Sequence, residues 1–368
     1  MTVEGSTEYL WRRPADWLAM PATATNQIDL LIPVWDTYSQ YVGVDVSVSS
    51  GTLSIDWGDG TVDTGLSNGS HQHLYVYGTG LSGTDSSRGY RQALVQITPD
   101  SAANITQFAM LSTTPSSDPS YAQNLHVLEA QVNCPSVTSL QYMFKQCYFL
   151  ERVNFIAIGA VTDISEAFRD SFYVQEVNWP SGSLAAVTDA SGLFYGCVKL
   201  RRMEFPAGSL ASLTDAAAMF YVCESLRRVD FPTGALAAVL TANDMFAGCN
   251  ILEELVFPSG AFASATNMQS MLQGCRGLRR LVFATSSFAS VTNNTDVLDT
   301  TRSLMDVEGV KFPESFNISY NQLSAAALDV IYTSLPTVSG KTIDVTANFG
   351  TTSDTPSIAT GKGWTVSS

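Results

Sequence analysis

The chain has 368 residues, 45% of them hydrophobic and only 14% charged, with a formal net charge of −15. This apolar content excludes a disordered chain and suffices for two or three packed units. The acidic balance excludes a nucleic-acid backbone as the main partner, because phosphate recognition needs clustered Lys and Arg.

No stretch reaches the roughly 18 uninterrupted apolar residues of a membrane span, so membrane insertion is not expected. The opening MTVEGSTEYLWRRPADW lacks a basic start followed by the apolar run of roughly 7–15 residues that marks a secretory signal. Folding in the cytoplasm is the expectation, with any later release by a route such as lysis. Residues 1–24 read as an arm. Its Trp11 and Trp17 either pack onto their own chain or attach the arm to an assembly.

Residues 25–112 alternate with a period of two, as in Val42, Val44, Val46 and Val48, then Leu53, Ile55 and Trp57. With further strands around Leu74–Val76 and Ala93, Val95 and Ile97, a small β-sandwich is predicted. Asp59-Gly60, between Leu53–Trp57 and Val62, predicts a hairpin closed by a primed turn. The segment IDWGDGT at 55–61, with His73-Leu74-Tyr75 downstream, resembles the WxFGDGT…HxY pattern of polycystic-kidney-disease-type immunoglobulin-like domains. Trp57 stands directly before Gly58 and the loop from Gly78 to Arg91 is long for that pattern. The resemblance implies a spacer or adhesive module. Residues 113–124, rich in Ser, Thr and Pro, read as a linker.

From 125 to 316 one phrase recurs with a period of 26 residues, cleanest as CVKLRRMEFPAGSLASLTDAAAMFYV from Cys197 and CESLRRVDFPTGALAAVLTANDMFAG from Cys223. Such a period marks a solenoid, whose units are too small to bury an apolar face alone. Leu150, Val174, Leu200, Leu226, Leu252 and Leu278 form one column, Val153 to Leu281 a second, and Phe155, Trp179, Phe205, Phe231, Phe257 and Phe283 a third. This spacing predicts a short strand, stopped by proline in most repeats. Leu193-Phe194, Met219-Phe220 and Met245-Phe246 predict an opposite wall built from a short helical or irregular return. Cys147, Cys197, Cys223, Cys249 and Cys275 share one column with Ser171, which favours a buried thiol ladder over disulfides or a metal set.

The phrasing C-x-x-L-x-x-V-x-F-P…V-T…M-F-x-x-C resembles the BspA-like class of leucine-rich repeats. That resemblance implies a solenoid and, through the surface and phage proteins that carry such repeats, adhesion. The repeat decays after Phe283. Ser324 then caps a helix through Leu328, Ile331, Tyr332 and Leu335 to Pro336, and Thr342–Val345 and Gly363–Val366 read as strands, so residues 317–368 form a cap. The expected fold class is mainly β with α elements: an N-terminal β-sandwich, a leucine-rich-repeat solenoid and a C-terminal α/β cap.

Catalytic chemistry has little to build on, since only His71, His73 and His126 exist. His71 and His73 could hold a metal with Asp56 or Asp59, but a loop-to-strand transition explains them equally, and no metal or cofactor is expected. Gly78, Gly80 and Gly83 match GxGxxG without a following helix and read as a loop. With no GxSxG, HExxH or P-loop, a non-enzymatic chain is expected.

Outside the inward column runs a row of Arg152, Glu176, Arg202, Arg228, Glu254 and Arg280, on strands about 4.8 Å apart. It is either a cross-strand charge ladder or an Arg-rich face for a carboxylated or sulfated glycan or an acidic protein, with Val256 and Val282 as an exposed apolar margin. The RPADWLAMP arm, the IDWGDGT segment and the repeats together are similar to structural proteins of tailed phages. This implies a virion surface or fibre protein, present in several copies, contacting other virion proteins and a host-surface glycan or protein. A capsid or tail decoration protein and a bacterial cell-surface adhesin are the alternatives.

Overall fold

The computed structural model describes residues 11–36, 40–110, 126–284 and 288–368. The segment read as a linker, 113–124, and Leu125 lie outside the described residues.

The alternating region forms β1 (Gln27–Val34), β2 (Gln40–Val48), β3 (Leu53–Asp56), β4 (Val62–Leu66), β5 (Gly69–Tyr75), β6 (Arg91–Pro99) and β7 (Ile105–Met110). They make two facing sheets, β5-β2-β7 against β1-β6-β3-β4, and the inward valines of β2 with Leu53, Ile55 and Trp57 fill the space between. The hairpin forms, with Asp56 opposite Val62, but its tip differs from a two-residue primed turn. Trp57 N–H donates to Thr61 O at 3.0 Å, leaving a three-residue tip in which Gly58 and Gly60 both hold positive φ. Gly80 is required here as well, since a Cβ on it would fall 1.6 Å from Asp59 O.

The sandwich does not end at its own edge. Next in the chain come β8 (Glu129–Cys134), β9 (Arg152–Ile158) and β10 (Glu176–Asn178). β8 pairs antiparallel with β1 and parallel with β9, giving one seven-stranded sheet in the order β10-β9-β8-β1-β6-β3-β4. On the other wall, Met110 N–H reaches Met143 O at 2.9 Å, and the Phe108 and Phe144 rings lie 5.9 Å apart. The first coil of a solenoid has no preceding coil to cover its apolar face and strand edge. Here the sandwich supplies both, and a single hydrophobic core runs through the two regions.

The remaining strands are β11 (Arg202–Glu204), β12 (Arg228–Asp230), β13 (Glu254–Phe257), β14 (Arg280–Phe283), β15 (Asp306–Glu308) and β16 (Phe316–Asn317). Helix α1 (Ala325–Ser334) follows, then β17 (Lys341–Asp344), the short α2 (Ser357–Thr360) and β18 (Trp364–Ser367). Ser324 caps α1 as its sequence predicts, its Oγ accepting from Ala327 N–H at 3.2 Å. β16, β17 and β18 pair in parallel, so the C-terminal region continues the winding with longer, helix-bearing turns.

The return between strands contains no helix from 159 to 305 among the described residues. It is a train of turns whose alternate N–H groups donate to the next coil, as in Ile164 to Asp189, Glu166 to Ser191, Phe168 to Leu193 and Asp170 to Tyr195, at 2.7–3.0 Å. Two residues four apart in each return hold positive φ, even the β-branched Val222 at 56°. The ladder offsets that strain by pairing backbone groups that would otherwise be buried unmet. At the head of most returns an Asx or Ser side chain accepts the N–H two residues on, as Asp163, Asp189, Asp215, Asn267 and Asn293 all do.

Inside this frame the aromatic columns stack. Phe144, Phe168, Phe194, Phe220 and Phe246 have successive centroids 5.2–5.8 Å apart. The six cysteines are free and buried, and desolvation raises every thiol pKa, that of Cys275 to about 12. Cys197, Cys223, Cys249 and Cys275 each point Sγ at the carbonyl of a phenylalanine in the preceding coil, at 3.1–3.2 Å. Ser171 does the same to Phe144 O at 2.6 Å, so the column selects a small donor. Phe220→Ala, in mid-stack and fully buried, is expected to cost about 3–5 kcal/mol in urea unfolding, read as a lower midpoint at unchanged slope.

Candidate recognition surfaces

The strand face brings the expected row together in register: Glu129, Arg152 and Glu176; Arg202 and Arg228; Glu254, Arg280 and Asp306. Its arginines are engaged. Arg152 meets Glu129 at 3.0 Å and Glu176 at 3.1 Å, Arg202 meets Asp230 at 3.0 Å, and Arg228 meets Asp230 at 2.7 Å. Arg280 bridges Glu254 at 2.6 Å, Asp306 at 3.0 Å and Glu308 at 3.4 Å.

Counting the flanking Glu204, Asp230 and Glu308, the face from β8 to β15 holds four arginines against seven carboxylates, so it is acidic rather than Arg-rich. Glu129, Asp306 and Glu308 escape a repeat-based reading because they lie in coils where the repeat is degenerate. The apolar margin is also smaller than expected: Val256 is 44% exposed, but Val282 only 7%. Val282 sits on a central strand, between β13 and β15, with the stem of Arg280 reaching past it to Glu308.

The arm packs onto its own chain. Trp17 is 4% exposed, in a small core with Leu31, Tyr90 and Leu128, and its Nε1 donates to Tyr90 Oη at 2.8 Å. Trp11 Nε1 donates to Glu151 at 3.0 Å, and Arg13 joins Arg152 on the fully buried Glu129, at 2.6 Å. This explains why β1 is buried on both faces, one against the sandwich core and one beneath the arm. Attachment through Trp17 would require the arm to peel away from the sheet.

The two kinds of ion pair differ in depth. Arg152→Ala, which strips a partner from the buried Glu129, is expected to cost about 3 kcal/mol. Arg280→Ala, among carboxylates about half exposed, should cost under about 1 kcal/mol and fade with salt. Urea unfolding of both at low and high ionic strength measures the contrast.

The sandwich motif is a packing latch. His73 Nε2 and Asp59 Oδ2 lie 2.8 Å apart, the His73 ring stacks on Trp57 at 5.0 Å, and Tyr75 Oη donates to Trp57 O at 2.6 Å. His71 turns away, with Nε2 2.9 Å from Ser67 O. Burial opposes ionisation of Asp59, but hydrogen bonds from His73 and Thr61 N–H hold its carboxyl below the ordinary range. Among the described residues, no three His, Cys, Asp or Glu side chains assemble into a metal site.

His126 lies at the seam between sandwich and solenoid, stacked on Phe149 at 5.8 Å, and burial lowers its pKa to about 4. The unfolded chain then binds the extra proton between that value and the ordinary 6.5. Stability is therefore expected to be full above about pH 6.5 and to fall by up to about 3 kcal/mol as pH drops towards 4. His126→Phe should remove this part of the slope in denaturant titrations across that range.

Beside the seam, Tyr142, Phe172 and Tyr173 are 43%, 37% and 44% exposed, with Phe172 stacked on Tyr148 at 4.9 Å and Tyr173 on Phe149 at 6.0 Å. A strand-centred reading passes over these residues, although the adjacent pairs Tyr148-Phe149 and Phe172-Tyr173 stand one repeat apart in the sequence. No helix among the described residues is long and apolar enough to cross a membrane.

Residues 138–279 match the family model of the BspA type leucine rich repeat region, in six copies. The match spans the regular coils and does not reach the sandwich, whose likeness to polycystic-kidney-disease-type domains rests on the IDWGDGT residues alone. No curated protein matches the chain.

Proposed function

We propose that this chain is a non-enzymatic recognition module displayed on a virion, as a surface or fibre protein in several copies. In this reading the arm and sandwich face other virion proteins, while the solenoid is held out towards a host-surface protein or glycan. The observation that carries it is the continuity of sheet and core from sandwich into solenoid, which makes the two a stiff body instead of tethered beads. Leucine-rich-repeat solenoids serve typically as interaction scaffolds, which fits a surface-repeat protein better than an enzyme. The strand face, with Arg202, Arg228 and Arg280 among carboxylates, suits a protein partner of mixed charge better than a polyanion.

A second reading, a capsid or tail decoration protein, is favoured by the exposed Tyr142, Phe172 and Tyr173, since exposed aromatic side chains commonly mark a subunit contact. A bacterial cell-surface adhesin is equally compatible with the repeats.

Mass spectrometry of purified particles and of host envelopes separates these readings. The expected outcome is the chain in particles, with purified chain slowing particle adsorption in proportion to its concentration. The Arg202→Ala/Arg228→Ala/Arg280→Ala variant should compete severalfold less well, and dextran sulfate should leave competition unchanged. Recovery from envelopes without particles would favour the adhesin.

A further inference from the structure

The N–H ladder of the return arcs has a gap. From Leu140 to Gly274 each arc donates to the next, the last set running from Met268, Ser270, Leu272 and Gly274 to Asn293, Thr295, Val297 and Asp299 at 2.8–3.0 Å. The following arc should donate from Asn294, Asp296, Leu298 and Thr300, but none of these four N–H groups, Leu298 and Thr300 at the cleft included, meets an acceptor among the described residues. The ladder resumes only at Ile318 and Tyr320, whose N–H groups reach Asp344 O and Thr346 O at 2.9 and 2.8 Å. The cause is local: the Asn294 side chain takes the carbonyl of Ser315 at 3.2 Å, so the incoming chain meets the arc there through a side chain instead of its backbone.

Where the two arcs part, they leave a cleft of about 180 Å³, lined by Leu298, Thr300, Arg302, Asn317 and Tyr320 together with Asp299 and Ser319. Its polar lining includes several donors. Arg302 is exposed and makes no ion pair or hydrogen bond among the described residues, unlike the arginines of the strand row. Asn317 Oδ1 is taken by Ser319 N–H at 2.7 Å, which leaves its amide NH2 as a donor. The carboxylate Asp299 also lines the cleft, and its Oδ2 accepts from Gln273 Nε2 of the preceding coil at 3.3 Å. Tyr320 is 63% exposed on a backbone held by the resumed ladder.

A row of unmet backbone N–H groups beside a guanidinium favours a carboxylate. An exposed ring on a fixed backbone favours the apolar face of a sugar. The geometry points to a subsite for one carboxylated sugar unit, a uronic acid, with its carboxylate on Arg302 and the N–H groups of Leu298 and Thr300 and its ring against Tyr320. This names a ligand for the solenoid and rests on its reading as a recognition module.

The test is amide-resolved NMR of the full chain titrated with glucuronate, glucose or acetate. Glucuronate is expected to move the Leu298 and Thr300 amide signals saturably, glucose to leave them in place, and acetate to bind at least about tenfold more weakly. Arg302→Ala should weaken glucuronate binding about tenfold and Tyr320→Ala severalfold, with the remaining amide pattern preserved as proof of folding. Unmoved Leu298 and Thr300 signals, or equal responses to glucose or to acetate, would overturn the assignment. A chain that fails here yet still competes for host cells loses the cleft and keeps the recognition role. Glucuronate binding without any host-cell competition keeps the cleft and overturns the recognition role.

Discussion

A coil of 26 residues cannot satisfy its own backbone. Its strand is three or four residues long and its return holds no helix, so nearly every N–H and C=O must find a partner one coil away. That demand sets the other regularities. Once the coils are in backbone register, Phe must lie on Phe and each Cys or Ser on the carbonyl below it. Even strained left-handed positions such as Val222 are tolerated, because moving them would break the bond to Ala247 O.

The same demand leaves the ends of the solenoid exposed, and at the N-terminal end the chain covers them by fusion. β1 serves the sandwich through Ile28, Leu30 and Ile32, and serves the solenoid through its pairing with β8. The arm then seals the outer side of this shared sheet with Trp17 and with Arg13 on the buried Glu129. Sandwich, arm and solenoid therefore act mechanically as one piece. Where the demand lapses, between Thr300 and Ile318, unmet donors and an exposed aromatic ring occur together at one cleft among the described residues.

Charge obeys the stacking rule with less freedom. Register places Arg202 beside Arg228, a like-charge pair that would repel if left alone. Asp230, two residues along β12 on the same face, meets both and neutralises the contact. The strand face thus pairs its arginines with its own carboxylates and offers a partner both charges together. Arg302 differs in making no ion pair among the described residues.

The period, the inward Leu, Val and Phe columns, the thiol column and the Ser324 cap were all legible in the amino-acid order, because each depends on spacing along one coil. So was the set of residues on the strand face, since side chains alternate across a strand. Tertiary structure alone decided what those residues meet. The capture of Arg280 by Asp306 and Glu308, the burial of Val282, the shared sheet of β1 and β8, and the gap beside Leu298 and Thr300 all arise between segments whose spacing departs from the repeat. Periodicity predicts contacts only where it persists; where it fails, the partner is chosen by whichever backbone or charge is left unmet in three dimensions.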